Sequence, residues 1–314
     1  MSSQGGRVVV RAPAKINLSL AVGPPRPDGY HDLATVFHAV SLFDDLEAEP
    51  DDDISVEVAT PSAGVQVDHV PVDSSNLAVQ AATLLAEHCG VYPGVRMRIT
   101  KRIPVAGGMA GGSADAAAAL VACDALWRTG LSREELRDLA AQLGSDVPFA
   151  LLGGTALGTG RGEQLTAALA RGSGYHWVLA LSDRTLSTPE VYAECDRLRE
   201  GRDVPEPAVS DAMMQALRSG DPEKLGPLLH NDLQNAAVSL LPELDRVLEV
   251  GIDFGALGSI VSGSGPTVAF LVRDNEAALD LSVALTASGV VDTTVRATGP
   301  VPAARLVEPM VLEH

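Results

Sequence analysis

The stretch Pro104 to Ala119, PVAGGMAGGSADAAAA, joins an alternating run to an Ala-rich run, and this junction constrains the fold more than any other part of the chain. Gly107, Gly108, Gly111 and Gly112 permit backbone conformations and close approaches that a Cβ would block. Upstream, Val95, Met97, Ile99 and, after a break, Ile103 alternate with Arg96, Arg98, Lys101 and Arg102, the period of a strand with one buried face. Downstream, Ser113 is expected to open a helix that Ala116 to Ala119, Leu120, Val121, Ala122, Ala125 and Leu126 continue with little side-chain bulk. Strand, glycine loop and helix N-terminus in that order present unpaired N–H groups and a partial positive charge, a seat for phosphate. The plainer alternative is a loop that lets an Ala-rich helix pack closely. No Lys follows the last glycine, so this is not a GxxxxGK[ST] loop, and GxGxxG does not fit either.

A phosphate ligand would have to enter a chain of net charge −18, so local dipoles and a few cations must hold it. The same charge argues against nucleic acid and anionic membrane as partners. Lys15, Lys101 and Lys224 are the only lysines, against 20 arginines, which suggests that lysine is kept where a compact ammonium is needed; the first two lie beside motifs. Cys89, Cys123 and Cys195 show no CxxC spacing, so neither a disulfide framework nor a zinc site is expected, and reduced cytoplasm is the simple setting. The apolar run near the N-terminus is too short for a signal peptide, and no window is long and apolar enough to span a bilayer. Residues Leu312 to His314 read as a vector-derived tail. At 314 residues, two domains are expected.

Val8 to Leu20 reads as one or two strands around Pro13, with Lys15 and Asn17 on the same face. The turn GPPRPDG precedes Tyr30 and His31, which by themselves fit an aromatic anchor and a surface histidine. Strands follow over Thr35 to Leu46 and Ile54 to Val58, with the acidic run Glu47 to Asp53 expected as a solvated loop between them. Asn76 to Cys89 is expected to be a helix capped by Ser74, Ser75 or Asn76, and a capping box at Ser132 to Glu135 opens another that Gly144 ends. Asp146, in GSDVP, lies where an ordinary helix N-cap is the commoner role.

Leu151 to Gly162 reads as a strand entering a turn. From His176 the pattern is strand, helix Pro189 to Leu198, helices over Ala212 to Arg218, Pro222 to Leu233 and Pro242 to Glu249, and strand Gly258 to Val261. After the loop Ser262 to Gly265 come strand Thr267 to Val272, helix Asn275 to Thr286 and strand Val290 to Thr298. An antiparallel sheet with helices on one face follows, with the domain boundary near Arg171 to Gly174.

Five stretches in this order resemble the GHMP kinases, the small-molecule kinases named for galactose, homoserine, mevalonate and phosphomevalonate. They are Pro13 to Leu18 (PAKINL) with Asp28 to His31 (DGYH), Pro104 to Ala114, Gly144 to Pro148, Ser187 to Tyr192, and Ser262 to Gly265. PAKINL followed by DGYH points to the branch that phosphorylates the 2-hydroxyl of a cytidyl diphosphate derivative of methylerythritol in the non-mevalonate route to isoprenoid precursors.

The resemblance implies an α+β fold, with an N-terminal α/β ATP-binding domain over 1–172 and a ferredoxin-like C-terminal domain over 173–311. It implies ATP as co-substrate with Mg²⁺, and a small cytidyl diphosphate acceptor. Lys15 and Asp146 become catalytic. The phosphates fall to Pro104, Val105, Ala106, Gly107, Gly108, Met109, Ala110, Gly111, Gly112, Ser113 and Ala114, with Asn76 and Lys101 also on ATP. Asn17, Tyr30, His31, Thr188 and Tyr192 take the acceptor, and Gly263, Ser264 and Gly265 form the third motif. Ala110 and Ala114 stand where the family often has Gly and Ser, and Asp115 where it often has Asn; this leaves Ser113 as the loop's one hydroxyl side chain able to reach phosphate or a metal-bound water. A mevalonate- or homoserine-type kinase is the nearest alternative, and a non-catalytic ligand-binding relative the alternative from another class.

Overall fold

The computed structural model describes residues 6–61, 66–91, 94–168 and 174–307. In chain order these form β1 (Val8–Pro25), β2 (His31–Asp51), β3 (Ile54–Ala59), α1 (Leu77–Cys89), β4 (Gly94–Thr100), α2 (Gly111–Trp127), α3 (Arg133–Leu143), α4 (Val147–Leu152), β5 (Thr155–Thr159) and β6 (Gln164–Ala167). The second half adds β7 (Tyr175–Leu181), α5 (Thr188–Leu198), α6 (Asp211–Ser219), α7 (Pro222–Leu225), β8 (His230–Asn231), α8 (Gln234–Leu240), α9 (Glu243–Asp253), β9 (Gly258–Val261), β10 (Val268–Val272), α10 (Asn275–Ala287), β11 (Thr293–Gly299) and β12 (Arg305–Val307). The expected boundary at 172/173 and the tail at 312–314 lie outside the described residues.

The first sheet runs β12-β1-β2-β4-β3, with β5 and β6 continuing from β2 and β8 lying beside β1. The second runs β11-β7-β10-β9, antiparallel throughout, which is the 4-1-3-2 order of a ferredoxin-like unit. β8 and β12 come from the second half of the chain yet pair with β1, so the two halves are tied through the strand that carries Lys15. One apolar core accordingly spans both, from Ile16 and Val36 through Ala116 and Leu120 to Trp177 and Leu271.

Three expectations are corrected. The acidic run is not a loop, because Leu46 and Ala48 are buried while Glu47 and Glu49 face outward to Arg7 and Arg96; the alternation carries β2 to Asp51. The helix expected over Pro222 to Leu233 stops at Leu225, before Gly226 and Pro227, and the chain extends into β8. Finally, α2 begins at Gly111 rather than Ser113, since Ala110 occupies the N-cap in a left-handed conformation, φ 57°.

His38 on β2 packs edge-on against Tyr175 and near Trp177 of β7, its Nδ1 2.8 Å from Thr155 Oγ1. Burial pulls its pKa down to about 3, so the imidazole is held neutral where the two sheets meet. Below the unfolded value, about 6.5, the unfolded chain takes up a proton that the folded one refuses, so stability falls as pH drops from about 6.5 toward 3. Urea midpoints at pH 7.5, 5.5 and 4.5 should therefore fall with a contribution of up to about 1.4 kcal/mol per pH unit that His38→Gln lacks. An identical pH slope in both proteins would mean that His38 does not titrate this way.

Candidate active site

A cavity of about 630 Å³ opens where the two halves meet, bounded by β1, β2, the 104–113 loop, Asp146, the start of α5 and Gly263-Ser264. Lys15 reaches it from β1 because strand alternation puts residues 15 and 17 on the cavity side, as their spacing predicts. Lys15 is 6% exposed; its ammonium donates to Asn17 Oδ1 at 2.7 Å and stands 3.6 Å from Asp146 Oδ2. The Phe37 ring lies 5.5 Å from Nζ. The Lys15 backbone N–H also donates to Met109 O, which fastens the glycine loop to the strand.

Asp146 does occupy the N-cap position of α4, but its side chain makes no capping bond. Pro148 in the first turn removes one N–H that such a cap would serve. The carboxylate is therefore left to the cavity, a third exposed, facing Lys15.

The loop folds over the start of α2. No side chain caps that helix, so its first-turn N–H groups face the cavity beside Gly111, Gly112 and the Ser113 hydroxyl. Ala106 and Ala110 both hold positive φ, which for a residue with a Cβ costs about 1–2 kcal/mol each. Pro104, Ala106, Gly107, Gly108 and Ala110 also line the cavity. Val105, Met109 and Ala114 do not: Met109 and Ala114 are wholly buried behind it. The Ser262 hydroxyl donates to Gly108 O at 2.9 Å, so the third motif clamps the loop; Gly263 and Ser264 line the cavity, while Gly265 is buried behind them.

Lys101 and Asn76, two expected ATP contacts, are not among the residues that line the cavity. Lys101 is 2% exposed and lies beneath the loop, its Nζ 2.5 Å from Asp44 and 2.7 Å from Asp115. Asp44 also accepts from the backbone N–H groups of Arg102 and Ile103, so this ion cluster pins the loop's entry to β2 and α2. Burial and the neighbouring Asp44 push the Asp115 carboxyl up, against the pull of Lys101. Asn76 caps α1 by accepting from the Ala78 N–H, and its neighbour Leu77 is the residue that reaches the cavity.

This cluster also changes the reading of Gly111. A Cβ there would lie 3.1 Å from Lys101 Nζ and 3.2 Å from Ile103 Cγ2, pointing down into the support rather than toward a ligand. At Gly112 a Cβ would meet only Leu77 Cδ1 at 3.4 Å, on the cavity side. Gly112→Val should thus weaken nucleotide binding by about tenfold or more with an unchanged melting temperature, whereas Gly111→Val should lower the melting temperature. Calorimetric titration alongside thermal melts separates the two, and equal melting losses would overturn this division of roles.

Opposite the loop, Thr188 and Ser264 hydroxyls meet at 2.9 Å, and Tyr192 presents its ring to the cavity. Burial and the nearby Asp146 raise the Tyr192 phenol's pKa, keeping it neutral. His31 lies behind Tyr192, 5.2 Å between ring centroids, with Nε2 2.9 Å from Asp196 Oδ1. Tyr30 is at the rim, 53% exposed, under the Arg161 guanidinium at 4.9 Å.

Arg161 lines the cavity and escaped sequence reasoning, as did Leu33, Thr35 and Phe37. The last three share one face of β2 by simple alternation, a signal available in the sequence; Arg161 sits in a turn and carried none.

The chain matches the family described as GHMP kinases N terminal domain over residues 76–154 and GHMP kinases C terminal over 213–291. It is 56% identical over 305 residues, 95% of this chain and 98% of the relative, to the 4-diphosphocytidyl-2-C-methyl-D-erythritol kinase of Leifsonia xyli subsp. xyli. The crystal structure of a 4-(cytidine 5'-diphospho)-2C-methyl-D-erythritol kinase superposes with a TM-score of 0.73 at 34% identity, covering 93% of this chain and 98% of that one. The crystal structure of L. major mevalonate kinase in complex with R-mevalonate shares the fold with a TM-score of 0.75 at 18% identity, covering 95% of this chain and 97% of that one.

Proposed function

The chain belongs to the 4-diphosphocytidyl-2-C-methyl-D-erythritol kinase family of the GHMP kinases, and from that membership and the cavity's geometry we propose that it moves the γ-phosphoryl of ATP to the 2-hydroxyl of that cytidyl acceptor. It is a small-molecule kinase, with cytoplasmic isoprenoid precursor synthesis as its setting. The observation that carries the mechanism is the Lys15–Asp146 pair at 3.6 Å, with Asp146 free of capping duty.

In the transfer, the acceptor oxygen forms a bond to the γ-phosphorus, the bond from that phosphorus to the β,γ-bridging oxygen breaks, and ADP leaves. Asp146 takes the hydroxyl proton. Lys15, 3.6 Å from Asp146, pairs with that carboxylate and stabilises charge on the transferring group. The N–H groups at the start of α2, with the glycine loop, hold the nucleotide phosphates. Asn17 and Thr188 face the acceptor's polyol and diphosphate, while Tyr30, His31 and Tyr192 surround its base.

Among the described residues there is no cluster of three or more His, Cys, Asp or Glu side chains able to hold a metal. Mg²⁺ binds through substrate phosphates, water and few protein oxygens, and the Ser113 hydroxyl, which lines the cavity at the open start of α2, would be its protein contact. Bound there, the ion supplies charge neutralisation on the phosphates.

Coupled measurement of ADP release, with the cytidyl compound, mevalonate and homoserine offered in turn, tests the proposal. Comparable turnover of mevalonate or homoserine would leave only the kinase fold standing.

A further inference from the structure

We infer that Thr35 is a positioning residue that sets the Lys15 ammonium through the Asn17 amide. The inference rests on Lys15 acting in phosphoryl transfer, as proposed above.

A lysine ammonium can only donate, so the 2.7 Å contact from Lys15 Nζ requires Asn17 to present its oxygen. The Asn17 amide nitrogen then faces the other way and must find an acceptor. It finds Thr35 Oγ1 at 2.8 Å. The Thr35 hydroxyl spends its own proton on the Ser19 carbonyl at 2.7 Å, which leaves the oxygen's lone pairs for Asn17. Every donor in this row therefore has one direction: Lys15 to Asn17 to Thr35 to Ser19.

Burial makes that order binding. Asn17 is 2% exposed and Thr35 1%, so a lost partner is costly although both residues edge the cavity. The backbone helps: pairing between β1 and β2 shifts register between Asn17 and Ser19, a local irregularity of the kind that re-aims side chains beside active sites.

Without the hydroxyl, the Asn17 amide nitrogen is buried unpaired and the amide turns to relieve it, taking its oxygen away from Lys15. The ammonium then has Asp146, 3.6 Å away, as its remaining anionic neighbour and closes on it. A tighter pair occupies the oxygen needed for the acceptor's proton.

Three readouts test this. Thr35→Val should lower kcat about 10- to 100-fold while KM for ATP and for the acceptor changes less than about twofold. Thr35→Ser should recover most of the lost turnover. With Asn17→Ala as background, Thr35→Val should cost almost nothing further. Thermal melts establish folding. Should Val not be accommodated, Thr35→Ser against Thr35→Ala, which differ by one hydroxyl, carries the same comparison.

A raised acceptor KM with unchanged kcat would make Thr35 a direct substrate contact and overturn the inference, as would unchanged kinetics or full additivity with Asn17→Ala. Lys15→Met run alongside separates the levels. If that variant keeps normal turnover, the reading of Lys15 itself fails; if it loses turnover and Thr35→Val does not, only the relay fails.

Discussion

Asp146→Asn is expected to lower kcat about 10²- to 10⁴-fold with little change in either KM. The substitution keeps shape and hydrogen-bonding reach but removes the proton acceptor. In many proteins an Asp at this position would also lose a helix cap, and a fall in activity could reflect damage to the helix. Here the side chain makes no capping bond, so stability should hold while turnover falls. Lys15→Met should produce a comparable loss, because the ammonium 3.6 Å away both pairs with the carboxylate and meets charge arriving on the transferring group. If the two act as one unit, the double variant should be scarcely worse than either single one. Wild-type turnover in Asp146→Asn would falsify the assignment of the base.

The parts of this site that could be read from the sequence are those where one local rule sets a side chain's direction. Strand alternation placed Lys15 and Asn17 together, and the glycine loop before an Ala-rich run announced an open helix N-terminus. Lys101 shows where such reasoning stops. It stands three residues before the loop's first proline, yet whether it faces ligand or core depends on Asp44, 57 residues away in sequence, and on Asp115. Gly111 and Gly112 are neighbours with opposite roles, because a helix turns about 100° per residue and only the packed structure says which one faces Lys101. The two-residue β8 and three-residue β12 carry no period of their own; pairing with β1 makes them strands. Ala110 shows a cost that no local rule announced: an alanine holds the left-handed N-cap of α2, disfavoured by about 1–2 kcal/mol, and the loop keeps its course.

The acceptor should be chosen by its base, with the uridyl analogue, mevalonate, homoserine and galactose all poor beside the cytidyl compound, by about 10⁴-fold for an analogue that leaves a buried hydrogen-bonding group unpaired. Aromatic stacking cannot supply this, since it is worth about 1–3 kcal/mol per base and accepts any base. Selection must come from hydrogen bonds to the base's edge, and His31 has the required polarity. Its Nε2 lies 2.9 Å from Asp196 Oδ1, a carboxylate that only accepts, so Nε2 carries the proton. In the neutral ring Nδ1 is then an acceptor, matched to the exocyclic amino group of cytosine and opposed to the carbonyl oxygen that uracil presents at the same position. Tyr192 holds the ring in place from the cavity side, while Tyr30 at the rim, under Arg161, offers an exposed face for stacking. Tyr30→Ala should therefore raise the KM for the cytidyl acceptor by about 5- to 150-fold, the kinetic equivalent of one stacking contact, and leave that for ATP unchanged. His31→Phe, which keeps the ring and removes the nitrogens, should narrow the gap between cytidyl and uridyl acceptors rather than lower both alike. A gap that survives His31→Phe intact would move the discrimination to other groups around the base, and a wild-type enzyme indifferent to the base would remove it from this pocket altogether.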